Sequence, residues 1–143
     1  MKVTTIILAD DHPFVRQGLR ATLATEAGFA LLAETGDGLE AVRLVEQFHP
    51  QVLIVDLMMP GLNGLEVTRQ VSQIKHHPAT QVVVLSMQAD DQYVIAALHN
   101  GARGYVLKDA PADELIAAIH QVTAGQRYLS QYFAARAFEL FHE

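Results

Sequence analysis

Apolar positions follow two periods along this chain. Short aliphatic runs at Thr4–Ala9, Phe29–Thr35, Val52–Val55, Val82–Ser86 and Gly104–Leu107 show little polar alternation. Runs of this length, rich in β-branched residues, predict strands buried on both faces. Between them, apolar residues recur every three or four positions. Val15, Leu19 and Leu23 form one such set, and Ala41, Val45 and Phe48 another. Val67, Val71 and Ile74 follow, then Val94, Ala97 and Leu98, then Leu115, Ile119 and Val122. That spacing predicts five helices. The punctuation agrees. Pro13 suits a first helical turn, where its missing N–H costs nothing. Asp37-Gly38 and Pro60-Gly61 read as turns, and Asn63 as an N-cap. Gly101 can end a helix in the left-handed conformation. Pro111 can open the next helix, with Asp113 and Glu114 near its positive end.

Strict alternation of strand and helix implies an α/β fold: a five-stranded parallel sheet with right-handed crossovers and helices on both faces. The strand order expected is 2-1-3-4-5. Ser130–Glu143 stands apart, with Phe133, Ala137, Leu140 and Phe141 at helical spacing. It predicts an extra C-terminal amphipathic helix, serving either as a self-packing cap or as a dimer surface. The expected division is therefore a domain over 1–128 and a helical segment over 129–143.

Composition narrows the function classes. A chain of 143 residues forms about one domain. It has no Cys, which removes disulfides, thiolate metal sites and cysteine nucleophiles. A net charge of −6 argues against this chain holding a nucleic-acid backbone by itself. The longest aliphatic runs are about four residues, whereas a membrane span needs about 20. The start lacks the apolar stretch of a signal peptide. A soluble cytoplasmic domain, with no membrane partner, is expected.

Ligands in such sheets bind outside the carboxyl ends of the strands. The predicted strands end in Asp10-Asp11, Asp56 and Ser86, and the fifth is followed by Lys108. Three carboxylates converging there repel one another, by about 4 kcal/mol per pair at 4 Å and an effective dielectric near 20. A raised pKa would relieve this, and so would a divalent cation; an all-oxygen site suits Mg²⁺ or Mn²⁺. A metal, a lysine and a hydroxyl beside a carboxylate are what phosphoryl transfer needs. Each residue also has a plainer reading: Asp10 or Asp11 as a helix cap, Asp56 as a turn residue, Ser86 as a loop hydroxyl, Lys108 as a solvated lysine. Only their joint placement points to chemistry. His76-His77 reads as a solvated pair.

These motifs resemble the receiver domain of two-component response regulators. Asp10-Asp11-His12-Pro13 matches the acidic pair, and Val52-Leu-Ile-Val-Asp56-Leu-Met-Met-Pro60-Gly61 the phosphoacceptor strand and loop. Leu85-Ser86 matches the switch hydroxyl, and Gly101-Ala-Arg-Gly-Tyr105-Val-Leu-Lys108 the last strand. Asp-His-Pro, Gly-Ala-Arg-Gly-Tyr and the Ala124–Ser130 ending resemble the NarL/LuxR-type branch. The resemblance implies a flavodoxin-like, doubly wound fold and a set of roles. Asp56 would take a phosphoryl group from a sensor histidine kinase. Asp10, Asp11, Asp56 and the Met58 backbone carbonyl would hold Mg²⁺. Lys108 and Ser86 would contact the phosphoryl group, and Tyr105 would turn inward as Ser86 moves. Met58 and Gln88 would flank the hydrolytic water and set a slow self-dephosphorylation. The chain would thus be a phosphoacceptor signalling domain rather than an enzyme. Its output would be transcription, through a helix-turn-helix DNA-binding domain not contained in these residues, and it would form a homodimer. The alternative is a stand-alone receiver signalling through protein–protein contacts. In many receivers Pro directly follows the lysine, with a cis bond; here Asp109 follows, which leaves the Lys108–Asp109 bond open.

Overall fold

The computed structural model describes residues 2–143. Six strands form one sheet: β1 Thr4–Ala9, β2 Phe29–Thr35, β3 Val52–Asp56, β4 Gln81–Ser86, β5 Gly104–Leu107 and β6 Tyr128–Leu129. Their order is β2-β1-β3-β4-β5-β6, and every neighbouring pair is parallel. Helices α1 Pro13–Ala24, α2 Gly38–Phe48, α3 Gly64–Ser72, α4 Asp91–His99 and α5 Ala112–Thr123 connect them.

Strand alternation divides the core in two. Ile7, Ala9, Leu53, Val55, Val82, Val84 and Tyr105 face α2, α3 and α4. Ile6, Leu8, Val52, Ile54, Val83, Leu85 and Val106 face α1 and α5. Both layers are needed because the central strands are buried on both sides, which is why their sequence shows no polar alternation. The helix starts follow local chemistry. Asp37 accepts hydrogen bonds from Leu39 N and Glu40 N, and Asn63 accepts one from Glu66 N. His12 is the N-cap residue of α1, and neither Asp10 nor Asp11 caps it. Gly101 has φ 107° just past α4, the left-handed conformation its position predicts.

Three expectations need correction. The sheet has six strands rather than five. Tyr128 and Leu129 pair with Gly104 and Tyr105 at the β5 edge. The Ser130 hydroxyl extends the ladder by accepting from Leu107 N at 2.9 Å. Two residues carry no readable period, so only the open edge of β5 selects them. The segment after it is not one helix but a 3-10 turn, Gln131–Arg136, followed by α6, Ala137–Phe141. Phe133 and Leu140 are both buried in the α2–α3–α4 layer, and α6 packs on α4. Anchoring both side chains bends the chain at Arg136 (φ −128°, ψ 20°), whose guanidinium is held by Asp91 at 2.8 Å. His76 is half-buried rather than solvated: it stacks on His49 with ring centroids 4.2 Å apart. The Lys108–Asp109 bond is trans; the cis bond among the described residues is His77–Pro78.

Candidate functional site

The carboxyl ends of β1, β3, β4 and β5 share one edge of the sheet. Asp56, the last residue of β3, is only 3 % exposed, and Asp10, just past β1, is fully buried. The chain after Asp56 is pinned at both ends, with Leu57 N donating to Leu85 O and Gly64 N to Leu57 O. Gly64 is required here, because a Cβ would sit 2.4 Å from the Asp56 carbonyl oxygen.

Lys108 reaches back from the end of β5. Its Nζ lies 2.8 Å from Asp10 Oδ2 and 2.9 Å from Asp56 Oδ2. Met58 N donates to Asp56 Oδ1 at 3.3 Å. Burial raises the Asp56 carboxyl above its ordinary range; Lys108 opposes this and Asp10 adds to it. Burial works against the Lys108 ammonium, but the two carboxylates outweigh it and raise its pKa. Asp11 is more open, with its side chain 28 % exposed, yet its Oδ1 is buried and accepts no hydrogen bond. A buried carboxylate oxygen without a donor costs about 1–3 kcal/mol or more, and a hard cation would satisfy it. The oxygen-rich donor set fits Mg²⁺ or Mn²⁺.

The structure therefore brings Asp10, Asp11, Asp56 and Lys108 together. Ser86 closes β4 and is almost fully buried, but its hydroxyl is engaged by Gln88 N at 2.8 Å rather than by the carboxylates. Tyr105 points inward: it is fully buried, and its hydroxyl donates to Gln88 O at 2.7 Å. Burial pushes that hydroxyl up to about 12. Gln88 thus joins Ser86 and Tyr105 through its own backbone. Its side chain is half-buried, whereas Met58 and Met87 are 56 % and 64 % exposed at the rim. The Tyr105 ring also meets Phe133 edge-on, with centroids 5.9 Å apart.

Sequence reasoning missed one residue at the centre. His12 Nδ1 lies 3.1 Å from Asp11 Oδ1, 3.3 Å from Asp10 Oδ1 and 3.7 Å from Asp56 Oδ2. It stands beside the acidic pair in the sequence, but only the chain direction out of β1 shows that its ring turns back over the carboxylates.

Comparison with known proteins agrees with this geometry. The family model described as the response regulator receiver domain matches residues 6–120. The chain belongs to the response-regulator receiver family. It is 42 % identical over 124 residues to the transcriptional regulatory protein DegU of Brevibacillus brevis, covering 87 % of this chain and 52 % of that protein. It is 39 % identical over 125 residues to the oxygen regulatory protein NreC of Staphylococcus carnosus (strain TM300), covering 87 % and 57 %. The receiver thus spans about half the length of these curated relatives. Its fold matches a LuxR-family two-component response regulator from Aurantimonas sp. SI85-9A1, with a TM-score of 0.89, 34 % identity, and 99 % and 100 % of the two chains covered. It also matches the isolated receiver domain of RcsB from Salmonella enterica serovar Typhimurium, solved in the presence of the phosphomimetic BeF₃⁻. There the TM-score is 0.84, the identity 26 %, and the coverage 94 % and 98 %. The receiver is therefore of the NarL/LuxR type, a signalling domain of a two-component system. Among the described residues, no helix is long and apolar enough to cross a membrane.

Proposed function

We propose that this receiver works in the cytoplasm and accepts a phosphoryl group on Asp56 from a sensor histidine kinase. The observation that carries this reading is the buried contact of Lys108 Nζ with Asp56 and Asp10, at 2.9 and 2.8 Å, beside the buried Asp11 Oδ1. The Asp56 carboxylate attacks the phosphorus in line, and the P–N bond to the kinase imidazole breaks as the acyl phosphate forms. Lys108 holds the carboxylate in place and then offers its charge to the phosphoryl oxygens. Asp10, Asp11, Asp56 and the Met58 backbone carbonyl would hold Mg²⁺ or Mn²⁺. The cation, when bound, supplies charge neutralisation at those oxygens.

The switch follows from what the Ser86 hydroxyl already holds. Its oxygen accepts from Gln88 N while its O–H stays free to donate to a phosphoryl oxygen, so as Ser86 moves toward the phosphoryl group the Gln88 backbone and the carbonyl that holds Tyr105 shift with it. Phosphorylation so selects one arrangement of the α4–β5 side. In the longer regulator this arrangement would control a helix-turn-helix DNA-binding output and favour a homodimer. Slow self-dephosphorylation, tuned by Met58 and Gln88, would reset it.

Incubation with acetyl phosphate and Mg²⁺ is expected to add one phosphoryl group, seen by intact mass, and Asp56→Asn to abolish it. Equal labelling of the Asn variant would overturn the assignment. Sedimentation with and without BeF₃⁻ tests the dimer; a monomer in both states would remove it.

A further inference from the structure

His12 has no role in the reading above, yet its ring lies over the acidic site. Its backbone sets the position. His12 is the N-cap residue of α1, its N–H donates to Asp10 Oδ1 at 2.9 Å, and its carbonyl accepts from Arg16 N at 2.9 Å. Pro13 follows at the first helical position and restricts the residue before it. The backbone that carries the imidazole is therefore fixed beside the acidic pair. The imidazole is 60 % exposed, which leaves a path for an ion from solvent.

Lys108 and His12 meet different oxygens of Asp10, whereas Asp56 Oδ2 faces both, 2.9 Å from Lys108 Nζ and 3.7 Å from His12 Nδ1. Asp10 turns Oδ2 to Lys108 and Oδ1 to His12. One ligand atom each from Asp10, Asp11, His12 and Asp56 falls within 4.8 Å of all the others. Bonds of about 2.1 Å put neighbouring ligands about 3.0 Å apart around an octahedral ion and about 3.4 Å apart around a tetrahedral one. The separations of His12 Nδ1 from Asp11 and Asp10, 3.1 and 3.3 Å, fall in that range, and that from Asp56, 3.7 Å, lies just beyond it. One of those three partners, Asp11 Oδ1, is buried and accepts no hydrogen bond. Nitrogen is the wrong donor for a hard ion and the right one for a borderline transition ion.

We propose that His12 Nδ1 is a further protein ligand of this site, and that it biases the site from Mg²⁺ toward nitrogen-accepting divalent transition ions such as Co²⁺ and Zn²⁺. This rests on the proposed acidic metal site. A site made only of carboxylates, a carbonyl and waters discriminates by size and charge. An imidazole adds a bond that Co²⁺ or Zn²⁺ uses fully and that Mg²⁺ replaces with water at little loss. The identity of the bound ion would then depend on which metals the cell supplies.

Tag-free wild type, His12→Ala and Asp11→Asn are each titrated with Mg²⁺, Mn²⁺ and Co²⁺, without phosphorylation. The expected result is that His12→Ala weakens Co²⁺ binding roughly tenfold or more, in the range set by histidine environment at metal sites, and weakens Mg²⁺ binding at least five times less. Pulsed EPR of the Mn²⁺-loaded protein should show coupling to a nitrogen in wild type that disappears in His12→Ala. Binding lost in Asp11→Asn but unchanged for all ions in His12→Ala, without nitrogen coupling, overturns the His12 assignment and leaves the metal site standing. Failure of all three ions to bind wild type overturns both.

Discussion

Neutralising Asp56 should stabilise the protein at neutral pH even though it destroys the phosphoacceptor. The site holds three carboxylates, with ligand atoms of Asp10, Asp11 and Asp56 within 4.8 Å of one another. At that separation each neighbour repels Asp56 by about 3–4 kcal/mol at an effective dielectric near 20. Lys108, 2.9 Å away, returns about 5–6 kcal/mol at the same dielectric. Attraction and repulsion nearly cancel, which leaves about 1–2 kcal/mol unfavourable before burial adds its share. Burial and Asp10 accordingly raise the Asp56 carboxyl above its ordinary 3.8. Asp56→Asn keeps the shape and removes the charge. At pH 7, without divalent ions, it is expected to gain about 1–2 kcal/mol, which for a chain of this size raises the melting temperature by about 3–7 °C.

The pH dependence has a definite sign. A carboxyl with a raised folded pKa binds its proton in the folded state first. The wild type should gain on the Asn variant as pH falls from the raised value to 3.8, closing the gap over that window, and the difference should stay constant below it. The chain has no Trp, so urea and thermal unfolding are followed by far-UV circular dichroism. Mg²⁺ at ten times its dissociation constant would stabilise the wild type by about 1.4 kcal/mol and narrow the gap. An Asn variant no more stable than wild type at pH 7 would refute the account of the site as a cluster of frustrated charge.

Phe133 is fully buried against Tyr105, so Phe133→Ala should cost about 3–5 kcal/mol and lower the melting temperature by roughly 10 °C; a fall of under 2 °C would mean that the terminal segment is only tethered. Met58→Asn should shorten the lifetime of phosphorylated protein, measured by the decay of the acyl phosphate, because an amide can hold the attacking water and a thioether cannot do so well. An unchanged decay rate would show that this side chain, 56 % exposed, points away from the hydrolytic path.

The first five strands and all five connecting helices were legible in the sequence, because each strand buried on both faces must be apolar throughout and each amphipathic helix must repeat at 3.6 residues. The acidic pair, Asp56, Ser86 and Lys108 were legible for a related reason: a parallel sheet carries strand ends to one edge wherever they stand in the chain. Local signals also set the caps at Asp37 and Asn63, which need only the N–H groups of the next turn. Tertiary structure decided the rest. β6 exists because β5 leaves an open edge, and two residues have no period of their own. The helical spacing of Phe133, Ala137, Leu140 and Phe141 was real, but burying Phe133 by Tyr105 and Leu140 by α4 required a bend at Arg136. The nearness of His12 to three carboxylates depends on strands β1 and β3 being neighbours, and that contact between residues more than forty positions apart is written in no local pattern.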